Sequence, residues 1–461
     1  MRQLIRGTLT AFLLCTTAAR AESLADALAQ GYESSGLIEQ NRALLRAADE
    51  DVAQAVAALR PILSYAANLQ ATYSVSDVQS LLGPSTERTV TDVTATLALN
   101  ASYTIYDGGS RRLALEAQKE LVLATRQALL DVERQVLGRI ILAYLDVQRS
   151  QAFVDLRQNN VRVITEELRA AQDRFDVGET TRTDVALAEA ELASARSQLV
   201  AVQGDLLSAR EEFRAAVGSL PENLQPVRPA RIPASVDEAR AIALRTQPSL
   251  LQAQHQVAAA EITVRRAEST MRPTVALQGQ LSVNRDIERN ATIGLQATGP
   301  IYQGGALAST VRQAQAQRDA QRASLLETAR NVEQDVADAY ATLQTASASR
   351  QAFEEQVRAA QVAFGGVREE AQLGARTTLD VLNAEQDLLD ARANLVSAGV
   401  DEVTASYQVL AALGLLNVQN LGLNVQVYDP TAYYNLVDDA PTATSEQGRA
   451  LDRVLDAIGR E

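Results

Sequence analysis

The sequence predicts a mainly helical protein with a membrane β component, built from a duplicated helix–β-hairpin–helix unit. Three observations predict it. Two halves of the chain repeat each other segment by segment. Each half contains two adjacent runs of strict apolar/polar alternation, the period of a strand with one greasy face. Each half also contains a proline-free, helix-patterned run of more than sixty residues, Ser110 to Asp176 and Ala306 to Gln372.

The N-terminus carries Arg2 and Arg6, an apolar run from Leu9 to Cys15, and Ala19-Arg20-Ala21. This is the pattern of a cleavable secretory signal over residues 1–21, removed before Glu22 and taking Cys15, the one cysteine, with it. Leu14 is too large for the small residue that precedes a lipidated cysteine. Loss of Arg2, Arg6 and Arg20 takes the formal charge from −14 to −14 − 3 = −17. Such an acidic chain is a poor nucleic-acid binder. One histidine, His255 within LLQAQHQVAAAE, and one cysteine leave no metal cluster or Cys–His dyad to assemble, so no catalytic residue, cofactor or metal is expected and an enzyme is disfavoured. His255 reads as a tolerated helix residue. No apolar run approaches the roughly 20 residues of a membrane-spanning helix, so any membrane part must consist of strands.

The first repeat covers 22–217 and the second 236–412, separated by LPENLQPVRPARIP within a proline-rich linker at 218–235. SLADALAQ… from Ser23 to Pro61 matches SVDEARAI… from Ser235 to Pro273 at an offset of 235 − 23 = 212. Tyr106-Asp107-Gly108-Gly109 matches Tyr302-Gln303-Gly304-Gly305 at 302 − 106 = 196, as do Tyr144 and Tyr340. The difference, 212 − 196 = 16 residues, lies inside one hairpin, where loop length is free to vary.

That first hairpin is expected at about 62–105 and its counterpart at about 274–302. Odd positions carry Leu63, Tyr65, Leu69 and Tyr73, then Val93, Leu97, Leu99, Tyr103 and Ile105; even positions carry Ser64, Asn68, Gln70 and Thr72, then Asp92, Thr94, Thr96 and Asn100. The second half repeats this with Val275, Leu277, Leu281 and Val283, then Ile293, Leu295, Ala297 and Ile301. One reading is a soluble half-buried sheet laid on the protein's own helices. The other is a barrel wall with lipid outside and water inside, favoured by the length of the strands and a polar face that is almost free of charge. Four strands cannot close a transmembrane barrel, which needs about 8, and open edges in lipid leave backbone groups unpaired. Copies must therefore share one wall, and three copies supply twelve strands.

The long helices, about 108–176 and 304–372, carry Leu113, Ala117, Leu121, Ala124, Ala128, Val132, Val136, Ile140 and Tyr144 at spacings of three and four. A second stripe, Leu137, Ile141 and Leu145, widens the apolar face so that neighbours fit on both sides. Each helix would be roughly 100 Å long, and the shorter partners, Leu24 to Leu59 and Asp184 to Val217, about 55 and 50 Å. Two short helices laid end to end thus match one long one. The turns at 176–184 and 373–380 repeat at 374 − 178 = 196: VGETTRTDV against LGARTTLDV. Asp184 and Asp380 follow Thr-rich turns and read first as helix caps. Glu166-Glu167, Glu211-Glu212 and Glu369-Glu370 read as solvated helix faces. The segment 413–461 reads as an irregular belt, equatorial in position, that turns into a polar, disordered tail beyond Asp438.

The signal, the duplicated unit, Tyr-x-Gly-Gly after each hairpin and the Gly-x-x-Thr-x-x-Asp-Val turns together resemble the TolC family of outer-membrane channels over roughly residues 22–430. The resemblance implies a homotrimer whose twelve-stranded β-barrel in the outer membrane of a Gram-negative bacterium continues into a long periplasmic α-helical barrel. It implies an exit duct for tripartite efflux or type I secretion, passing small amphiphiles or polypeptide. A periplasmic adaptor would join it to an inner-membrane pump of ABC, RND or MFS type. It places the turns at a periplasmic gate: Asp184 linked to Arg376, with Asp380 ringing the constriction and Asn383 where a second ring aspartate is usual. Ala371 stands where the family has an aromatic residue. Val177, Gly178 and Glu179, with Leu373, Gly374 and Ala375, fall at the adaptor-docking turns, although Glu179 replaces an apolar residue. The rival class is a periplasmic coiled-coil adaptor or scaffold without a pore; adaptors usually carry one long hairpin flanked by small β-domains, which this sequence lacks.

Overall fold

A computed structural model describes residues 22–78 and 86–458. The expected signal peptide, with Cys15, lies outside the described residues. Within them the elements run α1 (Leu24–Ser34), α2 (Gly36–Ala57), β1 (Ile62–Val78), β2 (Thr86–Tyr106), α3 (Ser110–Asp176), α4 (Arg182–Val217), α5 (Val236–Thr246), α6 (Pro248–Ser269), β3 (Thr274–Asn284), β4 (Arg289–Thr298), α7 (Ala306–Gln372), α8 (Thr378–Ala412), and three short helices, α9 (Val418–Leu421), α10 (Pro430–Val437) and α11 (Glu446–Ile458). The two long helices have 67 residues each.

The segment expected as one helix over Leu24 to Leu59 is two. Ser35 leaves the helix with an extended backbone, φ −73° and ψ 107°, and Gly36 starts the next. The break recurs in the second repeat at Gln247, 247 − 35 = 212 residues on, also extended, at φ −69° and ψ 118°. There the cause is plain, because a residue before proline is pushed out of the α region, and Pro248 follows. Ser35-Gly36 reaches the same geometry through the weak helix propensity of Ser and Gly.

The chain divides into two compact units. One comprises 22–38, Val132–Ala243 and Gln334–Val427; the other comprises Glu39–Asp131, Leu244–Glu333 and 428–458. In the first, α3 buries Val136, Leu137, Ile140, Ile141, Tyr144 and Leu145 against Leu24, Leu28 and Tyr32 of α1, Leu206 and Phe213 of α4, and Val403 of α8. Residues of both stripes of α3 are thus buried. The interhalf linker is pinned here: Tyr144 Oη lies 2.8 Å from Gln225 O and 2.9 Å from Glu22 O.

In the second unit all four strands form one antiparallel sheet in the order β1-β2-β3-β4. The register aligns the odd positions across it: Tyr65 faces Leu99, Leu99 faces Leu281, and Leu277 lies between Tyr103 and Leu295. A bulge between Thr104 and Tyr106 shifts the register where the sheet ends. The last strand stops at Thr298, short of Ile301, because Gly299 and Pro300 end the ladder and proline has no N–H to offer it.

Gly108 and Gly109 turn the strand into α3 with φ of 67° and 87°, a conformation natural only to glycine. A Cβ on Gly108 would lie 2.9 Å from Arg272 Cδ and 3.0 Å from Ser269 O. Asp107 closes the corner, accepting from the Gly109 and Arg111 amides at 3.0 Å each and from Arg111 Nε at 2.9 Å. These bonds, the Arg111 side chain foremost, hold its carboxyl below the usual range in spite of partial burial.

The C-terminal tail is not disordered as its polarity implied. Helix α11 places Leu451 against Ala53 of α2 and Tyr433 and Val437 of α10. Leu451, Val454, Leu455 and Ile458 recur at helical spacing along it, a local signal that the polar composition of the tail concealed.

Candidate functional site

The turn after α3 and the turn after α7 have the same hydrogen bonds. Gly178 N donates to Phe175 O at 3.0 Å and Glu179 N to Arg174 O at 2.8 Å; Gly374 N donates to Ala371 O at 3.1 Å and Ala375 N to Glu370 O at 2.9 Å. This pair of bonds, with the glycine at φ of 82° or 77°, is the Schellman ending of a helix. The next helix then starts at once, through a capping box. Thr181 Oγ1 accepts from Asp184 N at 3.3 Å while Asp184 Oδ2 accepts from Thr181 N at 3.1 Å. In the second turn Thr377 Oγ1 accepts from Asp380 N at 3.2 Å and Asp380 Oδ2 from Thr377 N at 2.9 Å.

The cap residues are therefore Thr181 and Thr377, and the two aspartates sit three positions further on as the reciprocal half of the box, not as the caps themselves. Hydrogen bonds from Thr181 and Thr180 hold the Asp184 carboxyl below its ordinary value, and bonds from the Thr377 backbone and hydroxyl do the same for Asp380. Thr-x-x-Asp after Gly is thus a compact code for a sharp helix reversal, which is why it occurs twice.

Within one chain Asp184 and Arg376 do not meet. Asp184 bonds to its own threonines, and Arg376 Nε reaches Glu370 Oε2 at 2.9 Å across its own turn. Glu370 raises the Arg376 pKa above its usual value. Asn383 is exposed on α8. Val177 and Leu373 stand out from the two turns, 70 % and 86 % exposed, with Gly178, Glu179, Gly374 and Ala375 exposed beside them. Ala371 is buried.

Sequence reasoning missed a buried polar seam just behind the turns. Glu167 is not on a solvated face: its side chain is 7 % exposed and meets Arg368 Nε of α7 at 3.0 Å. Asn160 of α3 donates to Glu385 of α8 at 3.3 Å, and both are buried. Burial, more than any neighbour, raises the Glu385 carboxyl above its ordinary value. The signal available was weak: Glu167 and Arg368 precede the turn glycines by 178 − 167 = 11 and 374 − 368 = 6 residues, distances that mean nothing until the helices are paired. Glu211 and Glu212 do lie in exposed ion pairs, with Arg214 and Arg139. His255 Nδ1 lies 2.8 Å from Glu120 Oε2 and joins α6 to α3.

The sheet, in the other compact unit, is a second candidate surface. Its apolar face is left bare: Tyr65 is 80 % exposed, Leu69 75 % and Ile293 80 %. A half-buried soluble sheet would have these residues against its own helices, so that reading fails. No described helix is long and apolar enough to cross a membrane, and no described group of His, Cys, Asp or Glu could hold a metal.

A bare amphipathic sheet joined to long helical hairpins with exposed apolar turns defines the subunit of an outer-membrane channel. The family described as outer membrane efflux protein matches residues 17–219 and 240–415. The outer membrane efflux protein BepC of Brucella suis is 35 % identical over 94 % of both chains. The alkaline protease secretion protein AprF of Pseudomonas aeruginosa is 26 % identical over 92 % of this chain and 91 % of its own. Among solved structures, the outer membrane protein VceC of Vibrio cholerae superposes with a TM-score of 0.72 at 22 % identity, over 85 % of this chain and 96 % of that one. The chain belongs to the outer membrane efflux protein family, and it is an exit duct of the outer membrane.

Proposed function

We propose that three copies close a twelve-stranded barrel in the outer membrane and continue it as a periplasmic helical duct. The observation that carries this is the sheet: one uncovered apolar face, one polar face charged, among the described residues, only at Arg88 and Asp92, and unpaired outer edges on β1 and β4. In lipid those edges must be paired, and β4 of one copy on β1 of the next does so without a new element. The duct performs no chemistry and takes its energy from an inner-membrane pump of ABC, RND or MFS type.

The two turns are the docking points for a periplasmic adaptor, through Val177, Gly178 and Glu179 and through Leu373, Gly374 and Ala375. Exposed apolar side chains on rigid Schellman turns support this, since such a patch on a soluble surface marks a partner. Asp184 and Arg376 form the gate link between neighbouring copies. Arg376 spends only Nε on Glu370, and a guanidinium has further donors to offer. Asp380 lines the constriction and Asn383 leaves the second ring neutral, so cations are attracted by three carboxylates.

Small amphiphiles are the first reading for cargo. Polypeptide is the second, supported by the likeness to AprF and by the Tyr428-Asp429-Pro430 tail, which resembles members serving type I secretion. Detergent-extracted protein should migrate as a trimer that dissociates on heating. A soluble monomer after signal removal would overturn the duct and leave the pore-free scaffold. Co-purification from native membranes identifies the pump and hence the cargo.

A further inference from the structure

Asp49 of α2 is completely buried, and neither carboxylate oxygen has a hydrogen-bond partner. An ionised carboxylate in that state is among the most unfavourable things a fold can contain. The C-terminal segment lies around it. Tyr433 donates to Glu50, the next residue, at 2.7 Å. The Arg42 guanidinium of α2 stacks 5.0 Å over Tyr428, and Arg126 of α3 lies 5.2 Å over Tyr434. Tyr428 and Tyr434 also pack on Leu45, Val52 and Val122, on either side of Asp49 in the α2–α3 seam.

The far end of the segment is tied separately. Arg60, at the entry to β1, bonds Ala440 O at 2.9 Å and the Asp439 carboxylate at 2.7 Å. Ala440 is held at a positive φ of 42°, an uncommon conformation for alanine that this clamp supports. Beyond it, α11 docks through Leu451 on Ala53.

We propose that residues 428–458 are a proton-sensitive strap on α2 and α3, held down while Asp49 is neutral and loosened as it ionises. None of the charged groups facing Asp49 hydrogen-bonds its carboxylate. On α2, Arg42 and Arg46 pair with Glu39, at 3.4 and 3.1 Å, and Glu50 accepts the Tyr433 hydrogen bond. On α3, Arg126 favours the ionised form; its guanidinium lies over the Tyr434 ring, and its Nε is buried with no hydrogen-bond partner. The strap itself presents the hydroxyls of Tyr428, Tyr433 and Tyr434, each held neutral by burial, and the carboxylates of Asp429 and Asp438 further out.

Burial raises Asp49 from the ordinary 3.8 to about 6, against the pull of Arg126 and with a push from Glu50. The docked strap therefore binds the proton more tightly than the open one. Docking is firmest at low pH and weakens as pH rises through about 6. From these two values the docking equilibrium changes roughly tenfold between pH 5 and pH 8. Because the outer membrane is porous to protons, a strap so placed would sense the medium.

The test is hydrogen exchange of 446–456 in the purified full chain in detergent, as protection factors corrected for intrinsic rates. Wild type should be about tenfold better protected at pH 5 than at pH 8. Asp49→Asn, which keeps the shape and removes the charge, should be equally protected at both. Arg60→Ala should lower protection at both values and leave their ratio unchanged. A wild-type ratio under twofold overturns the proposal. So does Asp49→Asn keeping the wild-type ratio, which would assign the titration elsewhere.

Discussion

Tyr144 and Tyr340, 340 − 144 = 196 residues apart, bind the same linker with the same atom: Tyr144 Oη meets Gln225 O at 2.8 Å and Tyr340 Oη meets Pro233 O at 2.9 Å. The duplication thus extends to how each half grips the segment that joins them. Tyr144 is fully buried, tilted against Phe213 with ring centroids 6.2 Å apart, and burial pushes its hydroxyl up to about 12. Tyr144→Phe removes two hydrogen bonds, from carbonyls that keep Gln148 Nε2 and Gln225 N as donors, and should cost about 1–3 kcal/mol; Tyr340→Phe, which removes one, about 0.5–1.5 kcal/mol. Thermal unfolding of the two variants side by side measures the difference.

The capping boxes make the turns acid-sensitive. The folded carboxyls of Asp184 and Asp380 lie below their ordinary value. Their contribution is therefore complete above about pH 4 and is lost as pH falls through the depressed folded values. Amide exchange in the first turns of α4 and α8 should accelerate together in acid. Thr181→Ala should remove the effect from α4 alone, at a cost of about 1 kcal/mol at neutral pH.

The seam behind the turns has an asymmetric weakness. Arg368→Ala leaves Glu167 buried and unpaired and should destabilise by about 1–3 kcal/mol, whereas Arg368→Ala with Glu167→Leu should recover most of the loss. Urea denaturation of the double-mutant cycle reads the coupling directly. Equal loss in the single and double variants would mean that Glu167 is adequately hydrated without its partner.

For the gate, Asp184→Ala combined with Arg376→Ala should raise single-channel conductance in planar bilayers. Unchanged conductance removes the link and leaves the fold intact. Asp380→Ala should weaken block by multivalent cations, because three charges leave the constriction.

For the barrel, Leu69→Arg and Gln70→Arg are neighbours in β1 with opposite expected fates. Position 69 is on the apolar face, where arginine near the bilayer centre costs about 2–4 kcal/mol. Position 70 is on the polar face. The yield of heat-modifiable oligomer in outer membranes should fall for Leu69→Arg and hold for Gln70→Arg. Equal yields would place both faces in water.

How much of this was legible follows from the range of the forces involved. Strand faces, the Gly-Gly corners and the sharp turns rest on neighbours within four residues, so Leu69, Gly109 and Thr-x-x-Asp declare themselves along the chain. The break at Ser35 is equally local, and was missed because neither Ser nor Gly forbids a helix as proline does. The helical spacing of Leu451, Val454, Leu455 and Ile458 was legible too, beneath a polar average; what was hidden is that Leu451 docks on Ala53, 451 − 53 = 398 positions away, as well as on the neighbouring α10.

By itself, the sequence determined the duplication, the alternating strands, the long helices and both turns, since period and turn chemistry are written in local order. Only the tertiary structure decided that the apolar face of the sheet is bare, that Glu167 is buried, and that Asp49 lies beneath the C-terminal segment. Burial and pairing depend on which distant surfaces meet, and the free energy that settles them belongs to the contact, not to either stretch of chain.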